Sequence, residues 1–270
     1  MAVCGALAAL LSCSNKAEMS TQDFELLNES SGKVLRGTLY LPDEKGARPL
    51  IIAAHELGSD SQRPWWVNYA THWAREGYAV LCFDFSGGGE RSRSDGASTD
   101  MSVLTEVSDL EAVLAEAENW KFVDRSRISL VGGSQGGGVA TIVAARHPEE
   151  IASLVLLYPA FYLPENLRER YPDLDNLPEA DDRGMLTIGR RYILDMYDYD
   201  YRADMRAYPG PVLIVHGNQD SVVNPAGSEE AVTLFPDAEL HIIDGAGHVF
   251  MTDAQQAEFL EVADPFLRAE

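Results

Sequence analysis

Five short runs of the chain are continuously apolar, at 49–54, 79–83, 128–131, 154–157 and 212–215. Strands covered on both faces have this pattern, and parallel sheets are built from them. Between the runs, apolar residues recur at helical spacing over 65–76, 103–117 and 136–146, and later over 227–234 and 254–269. The alternation predicts an α/β fold: a doubly wound, mostly parallel sheet with right-handed crossovers and ligands beyond the carboxyl ends of the strands. One earlier segment, 34–41, alternates apolar and polar residues between the turn pairs Ser31-Gly32 and Pro42-Asp43, as a half-buried antiparallel strand does.

The rhythm breaks at about 160–208, a stretch rich in Tyr, Asp, Arg and Pro without a clear buried strand. It is too long for a plain connection in a compact domain, so an inserted cap is expected there. The chain shows no internal repeat.

At 270 residues and 46% hydrophobic composition the chain fits one α/β domain with a sizeable core. No apolar run reaches the roughly 18 residues of a spanning helix. With 43 acidic against 21 basic residues the formal charge is −22, which argues against nucleic acid as a partner and otherwise speaks to solubility. Three cysteines are too few for a disulfide framework, and Cys82 falls inside an apolar run as a small buried hydrophobe.

Near the N-terminus, Leu10-Leu11-Ser12-Cys13 follows a short apolar run and resembles a bacterial lipobox, although no Lys or Arg precedes Ser12. On that reading Cys13 carries a lipid, residues 1–21 are signal and tether, residues 22–270 are the domain, and the protein is an exported, membrane-anchored lipoprotein. The alternative is a cytoplasmic enzyme with an apolar N-terminus.

The candidate chemistry follows the strands. Gly132, Ser134 and Gly136 form G-x-S-x-G directly after a buried strand and before a helix, where a sharp turn exposes a serine hydroxyl. A P-loop would need Gly-Lys-Ser/Thr, which is missing. A hydroxyl at neutral pH needs a base, and an acid followed by a histidine should come later in the chain. Asp220 follows the strand at 212–215, and His248 lies in Gly245-Ala-Gly-His248 beyond the strand that contains His241. Ser134 is therefore expected as nucleophile, His248 as general base and Asp220 as the acid that orients it. The N–H of Gln135 forms one half of the expected oxyanion hole. Leu57, with Glu56 as the alternative, supplies the other half from Ala54-His-Glu-Leu-Gly58, a loop that His55 shapes. His72, His147, His216 and His241 are read as structural. Asp198, Asp200 and Asp204 lack the spacing of a calcium loop, and this chemistry calls for neither metal nor cofactor.

The elbow, Gly217-Asn-Gln-Asp220, Gly247-His248 and Phe83-Asp-Phe-Ser-Gly-Gly-Gly89 together resemble the cinnamoyl (feruloyl) esterase group of the α/β-hydrolase superfamily. Finer matches lie in Phe85-Ser-Gly-Gly-Gly-Glu-Arg-Ser92, in Leu186-Thr-Ile-Gly-Arg-Arg-Tyr192 and in Tyr208-Pro-Gly-Pro-Val-Leu-Ile214. The resemblance implies an α/β-hydrolase fold with a cap, a serine carboxylesterase activity on small esters, and recognition of a substrate phenol by Tyr192. Glu165 or Asn166 stands where the group has an assisting acid. A serine peptidase or aminoacyl hydrolase is the nearest alternative, and a noncatalytic binding protein a distant one.

Overall fold

The computed structural model describes residues 18–269 apart from 44, 90 and 185; Cys4 and Cys13 lie outside the described residues. The chain opens with two long strands, β1 (Met19–Asn28) and β2 (Lys33–Pro42), paired antiparallel along their full length. The elements β3 (Arg48–Ala54), α1 (Pro64–Arg75), β4 (Ala79–Asp84), α2 (Val103–Ala117), β5 (Val123–Gly133), α3 (Gln135–Arg146) and β6 (Ser153–Leu157) then alternate. After the inserted cap, β9 (Val212–Gly217), α7 (Ala226–Leu234), β10 (Ala238–Ile243) and α8 (Asp253–Ala269) complete the domain. The cap itself contains α4 (Leu163–Arg170), the short antiparallel pair β7 (Ala180–Asp182) and β8 (Thr187–Gly189), α5 (Arg190–Met196) and α6 (Tyr201–Ala207).

The eight-stranded sheet runs β1-β2-β4-β3-β5-β6-β9-β10, with β2 antiparallel to both its neighbours and β3 to β6, β9 and β10 parallel. The expected fold class is observed. Strand periodicity divides the core: Leu50, Ile52 and Ala54 face the layer of α2 and α3, while Ile51 and Ala53 face Trp66, Tyr69 and Trp73 of α1 and Phe259 of α8. Cys82 is buried on that second face, and burial pushes its thiol up to about 12. A capping box starts α2, in which the Ser102 hydroxyl accepts from the Thr105 N–H and the Thr105 hydroxyl from the Ser102 N–H.

Two features depart from the expected boundaries. The tether was expected to reach Thr21, but β1 begins at Met19, whose partner is Pro42. The cap, expected to hold no clear buried strand, contains the short antiparallel pair β7 and β8, of which β7 is mostly exposed while Ile188 and Gly189 of β8 are buried. No helix among the described residues is long and apolar enough to cross a membrane.

Candidate active site

Ser134 sits between β5 and α3 with φ 52° and ψ −116°, a left-handed conformation that residues with a Cβ rarely adopt. Its surroundings hold it there. The Ser134 N–H donates to the Leu157 carbonyl at 2.9 Å, and the Ser134 carbonyl accepts from the N–H of Gly137 at 3.1 Å and of Ala160 at 3.0 Å. Strand and helix approach so closely that a Cβ on Gly136 would run into the Ala54 carbonyl, and one on Gly132 into the Gly136 carbonyl. Glycine is needed at both positions for contact, not for φ.

Asp220 and His248 reach Ser134 from the loops after β9 and β10. Nε2 of His248 lies 3.0 Å from Ser134 Oγ, and Nδ1 lies 2.7 Å from Asp220 Oδ2. A carboxylate only accepts, so Nδ1–H donates to Asp220 and Nε2 is left to accept from the serine hydroxyl. The other carboxylate oxygen, Oδ1, accepts from the N–H groups of Val222 and Val223 at 2.8 and 2.9 Å. Burial alone would raise the Asp220 pKa, but the hydrogen bonds from His216, His248 and Val223 outweigh it and hold the carboxyl well below the usual carboxylate range. All three residues singled out in the sequence meet in one hydrogen-bonded chain.

His216, read as a bland strand-end residue, belongs to the same arrangement. Its Nε2 lies 3.1 Å from Asp220 Oδ2 and 3.2 Å from the Val223 carbonyl, so it carries the proton, while Nδ1 accepts from the Ser228 hydroxyl at 2.7 Å. The signal was available in the sequence, since a histidine four residues before the acid at the end of a buried strand is within reach of its carboxylate.

The loop after β3 faces the serine. His55 Nδ1–H donates to the Glu56 carbonyl at 2.8 Å and Nε2 accepts from the Phe85 N–H at 3.1 Å, tying this loop to the one after β4. Leu57 lines the cavity beside Ser134 and Gln135. The Glu56 side chain turns inward, where it accepts from Trp65 and Trp66 at 3.1 Å each and from the Tyr158 hydroxyl at 3.0 Å.

A cavity of about 540 Å³ opens over Ser134 beneath the cap, lined by Leu57, Tyr162, Leu163, Asn166, Leu167, Arg183 and Tyr192 among others. Tyr192 and Asn166 are thus at the site. Glu165 is not among the lining residues; its carboxylate pairs with Arg168 and Arg202, each at 3.3 Å. The Tyr192 hydroxyl, expected to meet a substrate phenol, donates instead to Gln135 Oε1 at 2.6 Å. Glu106, which the sequence reading passed over, accepts from Gln135 Nε2 at 2.8 Å. It shares the stripe of Val103, Val107 and Leu110 on α2, and a carboxyl on an apolar stripe was the signal.

Residues 65–269 match the model of the prolyl oligopeptidase family. The chain belongs to that family. Among solved structures, it resembles the Est1E protein of Butyrivibrio proteoclasticus with bound ferulic acid (TM-score 0.82, 25% identity, 90% of this chain and 98% of that one). The complex of DcsB with a substrate analogue has the same fold at 21% identity and TM-score 0.75, covering 93% of this chain and 99% of that one. The 2-hydroxymuconate semialdehyde hydrolase of Pseudomonas putida is 28% identical over 181 residues, 51% of this chain and 61% of that protein. A serine hydrolase-like protein of Danio rerio is 29% identical over 177 residues, 65% of this chain and 47% of its own length. The chain spans about half to two thirds of the length of these curated relatives.

Proposed function

We propose that this protein of the prolyl oligopeptidase family is a serine carboxylic ester hydrolase. The observation that carries the reading is the chain from Asp220 Oδ2 through His248 to Ser134 Oγ, at 2.7 and 3.0 Å, at the floor of the capped cavity. In the reaction, His248 Nε2 takes the Ser134 proton as Oγ bonds to the ester carbonyl carbon. The N–H groups of Gln135 and Leu57 face the developing oxyanion. Collapse breaks the bond to the leaving alcohol, which receives the proton from His248. Water activated by the same imidazole then attacks the acyl-enzyme, releasing the carboxylic acid and restoring Ser134.

For the acyl group, the likeness to Est1E with ferulic acid and the aromatic lining favour aromatic acids of the hydroxycinnamoyl type. We assign Tyr192 a part in this through its ring, a reading supported by the hydrogen bond that commits its hydroxyl to Gln135. Family membership favours a second reading, cleavage of a prolyl peptide bond by the same residues. Purified protein assayed on methyl ferulate, p-nitrophenyl butyrate and a prolyl p-nitroanilide separates the two readings. Loss of ester turnover in Ser134→Ala supports the nucleophile, and unchanged turnover rejects it.

The sequence Leu10-Leu11-Ser12-Cys13 further supports membrane attachment through a lipid on Cys13. Comparing wild type with Cys13→Ala in the membrane fraction tests it, and equal partitioning of the two rejects the anchor.

A further inference from the structure

The residue after the candidate nucleophile is held at both ends. Gln135 is 2% exposed, its Oε1 accepts from the Tyr192 hydroxyl of the cap at 2.6 Å, and its Nε2 donates to Glu106 Oε2 at 2.8 Å. Three elements meet through this one side chain: α5 from the cap, α3 from the elbow and α2 from the helical layer beneath.

Glu106 is 1% exposed, and among the described residues no ion pair joins it to a basic side chain. Its neighbours in charge are Asp109 on α2 itself, Tyr192 on α5 and Tyr201 on α6, with the neutral Gln135 opposite on α3. Asp109 is occupied elsewhere, accepting from the Asn28 side chain and the Ser86 N–H at 2.8 Å each. Burial pushes the Glu106 carboxyl up to about 8; the Gln135 hydrogen bond opposes the rise and Asp109 adds to it. At neutral pH the group keeps its proton.

We propose that Glu106 is a positioning residue for the oxyanion site: as an uncharged carboxyl it fixes Gln135 between the elbow and the cap, and as a carboxylate it opposes the oxyanion. The proposal rests on the serine hydrolase reading. In that reaction negative charge develops on the oxygen facing the Gln135 N–H, and a second negative charge one side chain away, held in no ion pair among the described residues, repels it through a poorly screening interior.

The test uses the full chain and an alkyl fluorophosphonate, which forms an Oγ–P bond on Ser134 with loss of fluoride and develops charge in the same hole whatever the natural leaving group. Glu106→Gln keeps the size and an acceptor but cannot ionise, and Glu106→Met keeps the volume and removes the acceptor. The second-order labelling rate is measured as pH rises through about 8, the value given by Glu106 burial, with kcat and KM for p-nitrophenyl butyrate in parallel. Wild type should lose roughly tenfold in rate across that range, whereas Glu106→Gln should stay level. Glu106→Met should fall roughly three- to tenfold in kcat at neutral pH with a smaller change in KM. An alkaline fall shared equally by Glu106→Gln overturns the proposal, as does wild-type labelling in a folded Glu106→Met. Should Glu106→Met not fold, the Glu106→Gln profile decides alone. Absence of any Ser134-dependent labelling in wild type overturns the serine hydrolase reading and this inference together, an outcome distinct from a shared alkaline fall.

Discussion

Nε2 of His216 lies 3.1 Å from Oδ2 of Asp220, the same oxygen that His248 approaches at 2.7 Å. One carboxylate oxygen therefore receives two imidazole N–H groups, and Asp220 is oriented from below by a histidine that has no access to substrate. His216 is fully buried, and the Asp220 carboxylate and Val223 carbonyl, which only accept, fix its tautomer with the proton on Nε2.

Removing that support should weaken both fold and reaction. His216→Phe keeps a ring but deletes the hydrogen bonds to Asp220, Val223 and Ser228, leaving the Ser228 hydroxyl without its imidazole partner and Asp220 less firmly held. We expect a stability loss of about 1 to 3 kcal/mol and a fall of roughly tenfold in kcat. The folded Asp220 pKa is depressed, so its contribution is present above the unfolded carboxylate range and is lost as pH falls through and below that range. The stability gap between wild type and His216→Phe should accordingly narrow on acidification, as urea unfolding at neutral and acid pH would measure. A gap that widens would contradict the role given to His216.

Tyr158 is the second residue of this kind. Among the described residues it and Ser134 are the two non-glycine residues with positive φ, here 40°, and its ring centroid lies 4.9 Å from that of His248. Its hydroxyl donates to Glu56 while the ring packs under the imidazole. Tyr158→Phe should cost about 1 to 2 kcal/mol in unfolding free energy through the lost hydrogen bond to a buried carboxylate. Because the ring remains against His248, kcat should change by less than about threefold. Steady-state kinetics together with thermal unfolding separate the two effects, and a large loss of kcat would show that the hydroxyl, not the ring, sets the imidazole.

For Tyr192 the hydrogen bond to Gln135 leads to a specific expectation on substrates. Tyr192→Phe deletes a donor to the side chain beside the nucleophile, so methyl ferulate and p-nitrophenyl acetate should lose kcat/KM together, each by about 2- to 13-fold. A loss confined to methyl ferulate would restore the hydroxyl to the substrate.

The contrast between these residues shows where the sequence is legible. The inner parallel strands are buried on both faces, so 49–54, 79–83 and 154–157 announce themselves as apolar runs and lie within β3, β4 and β6, whereas the edge strand β10 is mostly half-buried or exposed. Glycines packed against the elbow and a histidine in a glycine loop are local signatures, and they locate Ser134 and His248. β1 is different: most of Met19–Asn28 is exposed on the sheet edge, with Phe24 and Asn28 buried, so tertiary pairing with β2 rather than its own pattern makes it a strand. His216, Glu106 and Tyr192 act through partners 4, 29 and 57 residues away in the chain. Only the folded chain brings the last two of those pairs together.

The buried carboxyl of Glu106 makes a last prediction, independent of any substrate. Its pKa is raised from the usual 4.5 to about 8 in the fold, with burial as the main cause. A raised acid keeps its proton in the folded protein while the unfolded chain ionises near the usual value, so unfolding releases a proton between the two. Stability from this group is thus fully present below the unfolded pKa and is lost progressively until the pH passes the folded one, by about 1.4 kcal/mol per pH unit and about 5 kcal/mol in all. Asp109, whose carboxyl burial also raises, is present in both proteins and adds its own pH dependence to each. Glu106→Gln cannot ionise in either state. Relative to wild type it should therefore gain stability steadily from acid pH up to about 8 and then level off. Urea unfolding of both proteins across that range measures the difference directly. A difference independent of pH would mean that Glu106 is already ionised in the folded protein, which would also remove the basis for its electrostatic influence on the oxyanion site.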